Sequence, residues 1–177
     1  MINLEPRQLW KHFDDILRIP RPSGHEGEIR SHLIRFAESL NLEYRVDPAG
    51  NLLITKPPVK GFESAPVVIL QSHLDMVGEK HSELQHDFMK DPINAYVDGN
   101  WIKAMGTTLG ADDGIGIAAQ MAVLEAKDLD HGKIECLFTV EEETGLTGAF
   151  GLEPGFMEGK ILINLDSEDE GELSFIL

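Results

Sequence analysis

Val67-Val68-Ile69-Leu70 has no polar position to turn toward solvent and reads as a strand buried on both faces. Such a strand needs helices above and below its sheet, and helical patterns stand on either side of it in the sequence. Glu5 and Pro6 open a helix with Trp10, Phe13, Ile16 and Leu17 on one face, ended before Pro20. Ser23-Gly24-His25-Glu26 fits a capping box for a second helix, whose apolar positions Ile29, Leu33, Phe36, Ala37 and Leu40 keep a helical period. Residues 115–126 are apolar nearly all round, which predicts an inner helix. Strands are expected at residues 43–46 and 51–55 around the turn Asp47-Pro48-Ala49-Gly50, and again at 134–140 and 161–165. Residues 95–97 and 101–104 read as a hairpin around Asp98-Gly99-Asn100, preceded by an irregular polar loop over 79–91. Strands alternating with helices imply an α/β fold, a mixed and largely parallel sheet flanked by helices. With 177 residues and neither an internal repeat nor a linker, one domain with a sizeable core is expected.

Charge narrows the partners. A net charge of −16 excludes nucleic acid, whose phosphates would be repelled. The single cysteine, Cys136, rules out an internal disulfide and fits a reducing cytoplasm. It shares a period-two pattern with Ile134, Phe138 and Val140, so a buried strand residue is expected there rather than a nucleophile. MINLEPRQLW has no apolar signal core and no run is long enough to span a bilayer, so the expected location is cytoplasmic, with no membrane partner.

In sheets of this kind, functional residues gather just beyond the carboxyl ends of the strands. His73 and Asp75 follow the run at 67–70, Glu141, Glu142 and Glu143 follow 134–140, and Asp166 follows 161–165. Asp112 and Asp113 stand just before the inner helix. Each cluster alone has an ordinary explanation. His73-Leu74-Asp75 could decorate a surface, Asp112 could cap the helix behind it, and three glutamates could be a solvated patch. Asp166 could begin an acidic loop with Glu168, Asp169 and Glu170. Together, four acidic or imidazole clusters at one sheet edge would repel one another unless a cation joined them, which points to a metal site. Gly114-Ile115-Gly116-Ile117-Ala118-Ala119 also fits the G-x-G-x-x-A phosphate fingerprint. Asp112 and Asp113 immediately before it would repel a pyrophosphate, so nucleotide binding is set aside.

These residues carry a family resemblance. Gln71-Ser72-His73-Leu74-Asp75-Met76-Val77 resembles the first motif of zinc aminopeptidases and dipeptidases of the carboxypeptidase and aminoacylase superfamily. Residues 106–116, GTTLGADDGIG, resemble the second; Glu142-Glu143-Thr144-Gly145 with Gly148-Ala149-Phe150-Gly151-Leu152 resembles the third. Ile163-Asn164-Leu165-Asp166-Ser167-Glu168 with Gly171-Glu172-Leu173 resembles the fourth. His86-Asp87-Phe88, Lys90-Asp91-Pro92-Ile93 and Asp98-Gly99 narrow the resemblance to the aminoacyl-histidine dipeptidases.

The resemblance implies a zinc-peptidase-like catalytic domain holding two Zn2+ ions, with Mn2+ or Co2+ compatible with the same ligands. Asp112 would bridge the ions, His73 and Asp166 would complete the protein ligands of one, and Glu143 would bind the other. Asp75 would orient His73, and Glu142 would act as general base toward the attacking water. The resemblance also implies a cis peptide between Asp112 and Asp113. No catalytic role is assigned to Glu141, and His25, His81, His86 and His131 are expected at surface positions. By the same resemblance, residues 1–177 form the N-terminal portion of a longer catalytic domain. A dimerisation and lid domain, and another metal-binding histidine, would lie beyond Leu177. The implied activity is hydrolysis of small peptides, Xaa-His dipeptides first, by a full-length homodimer, with this chain alone incomplete and weakly active or inactive. A tripeptidase, an N-acyl amino-acid deacylase and a non-catalytic metal-binding remnant are the alternatives.

Overall fold

The computed structural model describes residues 2 and 4–167, so the expectations resting on Glu168, Asp169, Glu170 and Gly171-Glu172-Leu173 lie outside the described residues. Its main sheet has five strands in the order β1-β2-β6-β3-β7. β3 (Val68–His73) lies between β6 (Ile134–Thr139) and β7 (Ile161–Asn164) and runs parallel to both. β2 (Leu52–Lys56) pairs antiparallel with β6, and β1 (Glu43–Val46) antiparallel with β2. The sheet is therefore mixed, and its parallel part sends three carboxyl ends out along one edge. β4 (Ala95–Asp98) and β5 (Trp101–Ala104) form the separate expected hairpin.

Period-two alternation splits the core between the two sheet faces. Leu52, Ile54, Cys136 and Phe138 join Phe13, Ile16, Ile29, Leu33, Ile117 and Met121 on one side, while Leu53, Ile69, Leu137 and Phe156 form a smaller cluster on the other. The first side is covered by α1 (Arg7–Ile16), α2 (Gly27–Ser39) and α3 (Ala111–Glu125), with α1 and β3 both packed on α3. Cys136 is fully buried and burial pushes its thiol up, which suits a packing role. A four-residue helix, α4 (Thr147–Phe150), was not anticipated; helices that short leave no periodic signal.

Two local expectations are corrected. The strand expected at 67–70 runs on to His73, because its polar residues find partners inside. Ser72 Oγ donates to Gln120 Oε1, while Gln120 Nε2 donates to the carbonyls of Leu70 (2.7 Å) and Leu137 (3.2 Å). The capping box does not form either. Glu26 occupies the N-cap position of α2 with no side-chain cap, and Ser23 Oγ instead donates to Asp75 Oδ2 at 2.7 Å. A charge-assisted bond to a buried carboxylate is stronger than a neutral cap and wins the hydroxyl.

Phe138 is 0% exposed and Phe150 is 82% exposed, so truncation should separate them clearly. Phe138→Ala is expected to destabilise the fold by about 3–5 kcal/mol, and Phe150→Ala by no more than about 0.5 kcal/mol, in urea denaturation.

Candidate metal centre

His73 ends β3 completely buried, with its ring held at both nitrogens. Nδ1 lies 3.3 Å from Asp75 Oδ1, and Nε2 lies 2.7 Å from Asp112 Oδ1 and 3.8 Å from Asp166 Oδ2. Burial draws the imidazole pKa down, but the bonds to Asp75 and Asp112 and the charge of Asp113 outweigh it and raise the value to about 9. Asp75 is also fully buried. It accepts from Ser23 Oγ (2.7 Å) and from the backbone N–H groups of Glu142 (3.0 Å) and Glu143 (3.2 Å), besides facing His73. Burial opposes its charge, yet the bonds from His73, Ser23 and Glu142 hold it down at about 2.

The Asp112–Asp113 peptide is cis, and both residues depart from helical angles inside the first turn of α3. Their side chains diverge. Asp112 is exposed and reaches His73, whereas Asp113 is 2% exposed and accepts from the N–H groups of His73 (3.3 Å) and Gly116 (3.1 Å). Burial raises Asp113 to about 7, helped by the charge of Asp166 and opposed by His73.

The third group leaves β6 through a turn pinned by Asn51, which accepts from Val140 N–H (3.1 Å) and donates to the Gly148 carbonyl (2.8 Å). Glu141 then takes a left-handed backbone (φ 50), so the chain bends sharply and both following amides turn onto Asp75. Glu142 and Glu143 are half-buried and their carboxyls are both raised, by burial first and by neighbouring carboxylates next, against the pull of His73. Asp166 lies two residues beyond β7, its N–H donating to Asn164 Oδ1 at 2.8 Å.

Among the described residues, two sets of ligand atoms converge to within 4.8 Å of one another: His73 with Asp112 and Glu143, and His73 with Asp113 and Asp166. An imidazole with two carboxylates is a donor set suited to a divalent cation, and binding one would displace the His73 Nε2 proton. The grouping differs from the implied one in placing Asp166 with Asp113. Glu142 and Asp75 belong to neither set. His25 and His81 are exposed, and His86 and His131 are half-buried but outside both sets.

A cavity of about 520 Å³ opens beside Glu143, lined by Ser23, Met76, Val77, Phe88 and Met89 among others. A larger cleft of about 1050 Å³ reaches Glu141 but includes none of the ligand candidates. Sequence reasoning overlooked Arg21 and the anchoring of Asp113. A lone arginine between Pro20 and Pro22 has no periodic context, and adjacent aspartates do not show which one turns inward.

In chelator-treated protein, Asp113 and His73 shift stability in the same direction. Asp113, raised from 3.8 to about 7, costs stability progressively as pH climbs between those values. His73, raised from 6.5 to about 9, stabilises fully below 6.5 and loses that contribution as pH passes through about 9. The chelated protein should therefore melt lower at about pH 9.5 than at about pH 6. Asp113→Asn, which keeps one acceptor oxygen, should narrow that difference in thermal melts.

No family model matches the chain. It is 48% identical over 170 residues to the cytosol non-specific dipeptidase of Escherichia coli (strain K12), a match covering 96% of this chain and 35% of that protein. An aminoacylhistidine dipeptidase structure from Vibrio alginolyticus is similar with a TM-score of 0.93 and 50% identity, over 95% of this chain and 34% of the other. A tripeptidase structure from Staphylococcus aureus is similar with a TM-score of 0.77 and 26% identity, over 93% of this chain and 44% of the other. The chain thus spans about a third of the length of the two dipeptidases. Along nearly its whole length, this chain is similar by sequence to a cytosol non-specific dipeptidase and by fold to an aminoacylhistidine dipeptidase.

Proposed function

We propose that this chain forms the N-terminal, metal-binding portion of a cytoplasmic two-zinc dipeptidase that hydrolyses Xaa-His and other small dipeptides. The observation that carries this reading is the convergence of His73, Asp112, Asp113, Glu143 and Asp166 in a chain half identical to an aminoacylhistidine dipeptidase. His73, Asp112, Glu143 and Asp166 would hold the two cations, with Asp113 within reach of the same imidazole. When bound, the pair of cations supplies the charge that activates a water and polarises the scissile carbonyl. Asp75 fixes the His73 ring through Nδ1, leaving Nε2 to face the cation.

Glu142 moves the proton. Its amide is anchored on Asp75 while its half-buried carboxyl stays free of both ligand sets. Burial, with the charges of Asp166, Asp75 and Asp112 acting against His73, raises its pKa and makes it a better acceptor of the water proton. The same carboxyl then delivers that proton to the leaving amine. The cavity beside Glu143 offers room for a substrate side chain along the apolar wall of Met76, Val77 and Phe88. Among the described residues, no helix is long and apolar enough to cross a membrane.

We further propose that a lid and dimerisation domain and the rest of the catalytic domain lie in sequence beyond residues 1–177, in a full-length homodimer. The similarity to a tripeptidase structure makes a longer peptide the second reading. A panel of Xaa-His dipeptides, other dipeptides, tripeptides and N-acyl amino acids separates these, and turnover of none of them would sink the peptidase reading.

In an active full-length protein, Glu142→Ala should lower turnover by about 10²–10⁴-fold while leaving metal content unchanged. Loss of metal with that change would make Glu142 a ligand instead. Residues 1–177 alone should retain at most one tightly held ion after dialysis, measured by elemental analysis, with little or no Xaa-His hydrolysis.

A further inference from the structure

Arg21 is a 2% exposed cation whose guanidinium bonds to the two turns that carry the candidate ligands. Its Nη1 donates to the carbonyls of Leu74 (2.9 Å) and Asp75 (2.7 Å), in the turn leaving β3 after His73. Its Nη2 donates to the carbonyl of Gly110, in the turn that delivers Asp112 and Asp113. The guanidinium thus joins two segments that are far apart in sequence. Burying a cation is costly, and a buried arginine is ordinarily matched by a directly bonded carboxylate. Here the fork goes to carbonyls, and Asp113, Asp75, Asp112 and Glu143 offset the charge through space. Burial lowers Arg21 to about 10, which leaves it a cation at neutral pH.

The surroundings are shaped for this side chain. A Cβ at Gly110 would stand 2.8 Å from Arg21 Nη2, and one at Gly114 would stand 2.7 Å from it, so the guanidinium lies where only glycine permits approach. The same segment is locked to the strand exit by its backbone. Met76 N–H donates to the Arg21 carbonyl at 3.1 Å, and Pro22 forms a parallel bridge with Met76. Two residues on, Ser23 Oγ donates to Asp75 Oδ2 at 2.7 Å.

We propose that Arg21-Pro22-Ser23 is a positioning clamp for the metal centre: Arg21 sets the spacing of the His73 turn against the Asp112 turn, and Ser23 aims the Asp75 carboxylate at His73. The clamp rests on the metal reading above. A planar fork is needed because a lysine ammonium is a single point and cannot span the same three carbonyls with fixed geometry.

Titrating the full chain with Co2+, following both heat and the visible spectrum of the bound ion, tests this. Arg21→Lys and Ser23→Ala should each weaken Co2+ binding by about 10–100-fold and alter its spectrum, whereas Ser23→Thr, which keeps the hydroxyl, should match wild type. Variants that melt lower in chelator but bind Co2+ with unchanged affinity and spectrum would show a purely structural role and overturn the clamp. Should Arg21→Lys fail to fold, Ser23→Ala decides, because Ser23 is half-buried and the change removes one hydrogen bond without touching the apolar core. Wild type that takes up no Co2+ would overturn the metal reading and the clamp together; binding by wild type with no change in the variants overturns the clamp alone.

Discussion

The buried carboxylate of Asp75 holds the site together. It faces the His73 ring with one oxygen, receives the Ser23 hydroxyl on the other, and takes the amides of Glu142 and Glu143 besides. Three chain segments that never meet in sequence are therefore referred to one side chain. A carboxylate at 0% exposure is tolerable only with such a set of donors, since each unmade bond would leave part of the charge unsolvated. That requirement makes the geometry rigid: the donors cannot move without stranding the charge.

Around that anchor, buried polar groups tie the layers where apolar packing alone would let them slide. Gln120 on α3 donates to carbonyls of β3 and β6, which sets the depth of the helix against the sheet. Asn51 closes the turn before Glu141 by bonding Val140 N–H and the Gly148 carbonyl. On the opposite face, the fully buried Glu135 accepts from the N–H groups of Glu158 (2.9 Å) and Gly159 (3.0 Å), just ahead of β7. Because Asp166 follows β7, this second buried carboxylate helps decide where a candidate ligand arrives.

The carboxylates themselves carry opposite burdens. Asp75 is held at about 2 by its donors, while Asp113, with fewer of them, rises to about 7. One group is thus ionised under all ordinary conditions and the other sits near neutrality. Their difference comes from hydrogen bonding, since both are buried aspartates beside the same imidazole. The chemistry of the site is a property of placement.

Much of the fold was legible in periodicity: the alternation at 134–140, the apolar run at 67–70 and the amphipathic pattern of α1 all became the elements they resemble. The collection of acidic and imidazole clusters at one sheet edge was also legible, because parallel strands bring their carboxyl ends together there. Local pattern misjudged Ser23, which looks like a helix cap until a buried carboxylate from 52 residues away competes for its hydroxyl. It overlooked Arg21, whose three carbonyl partners lie 53 to 89 residues along the chain. Sequence by itself determined which residue types alternate, and hence the elements, the layers and the edge where charge collects. Only the tertiary structure decided which aspartate turns inward, which hydroxyl orients Asp75, and which carboxylates share His73, because hydrogen bonds between distant segments depend on packing that no local pattern encodes.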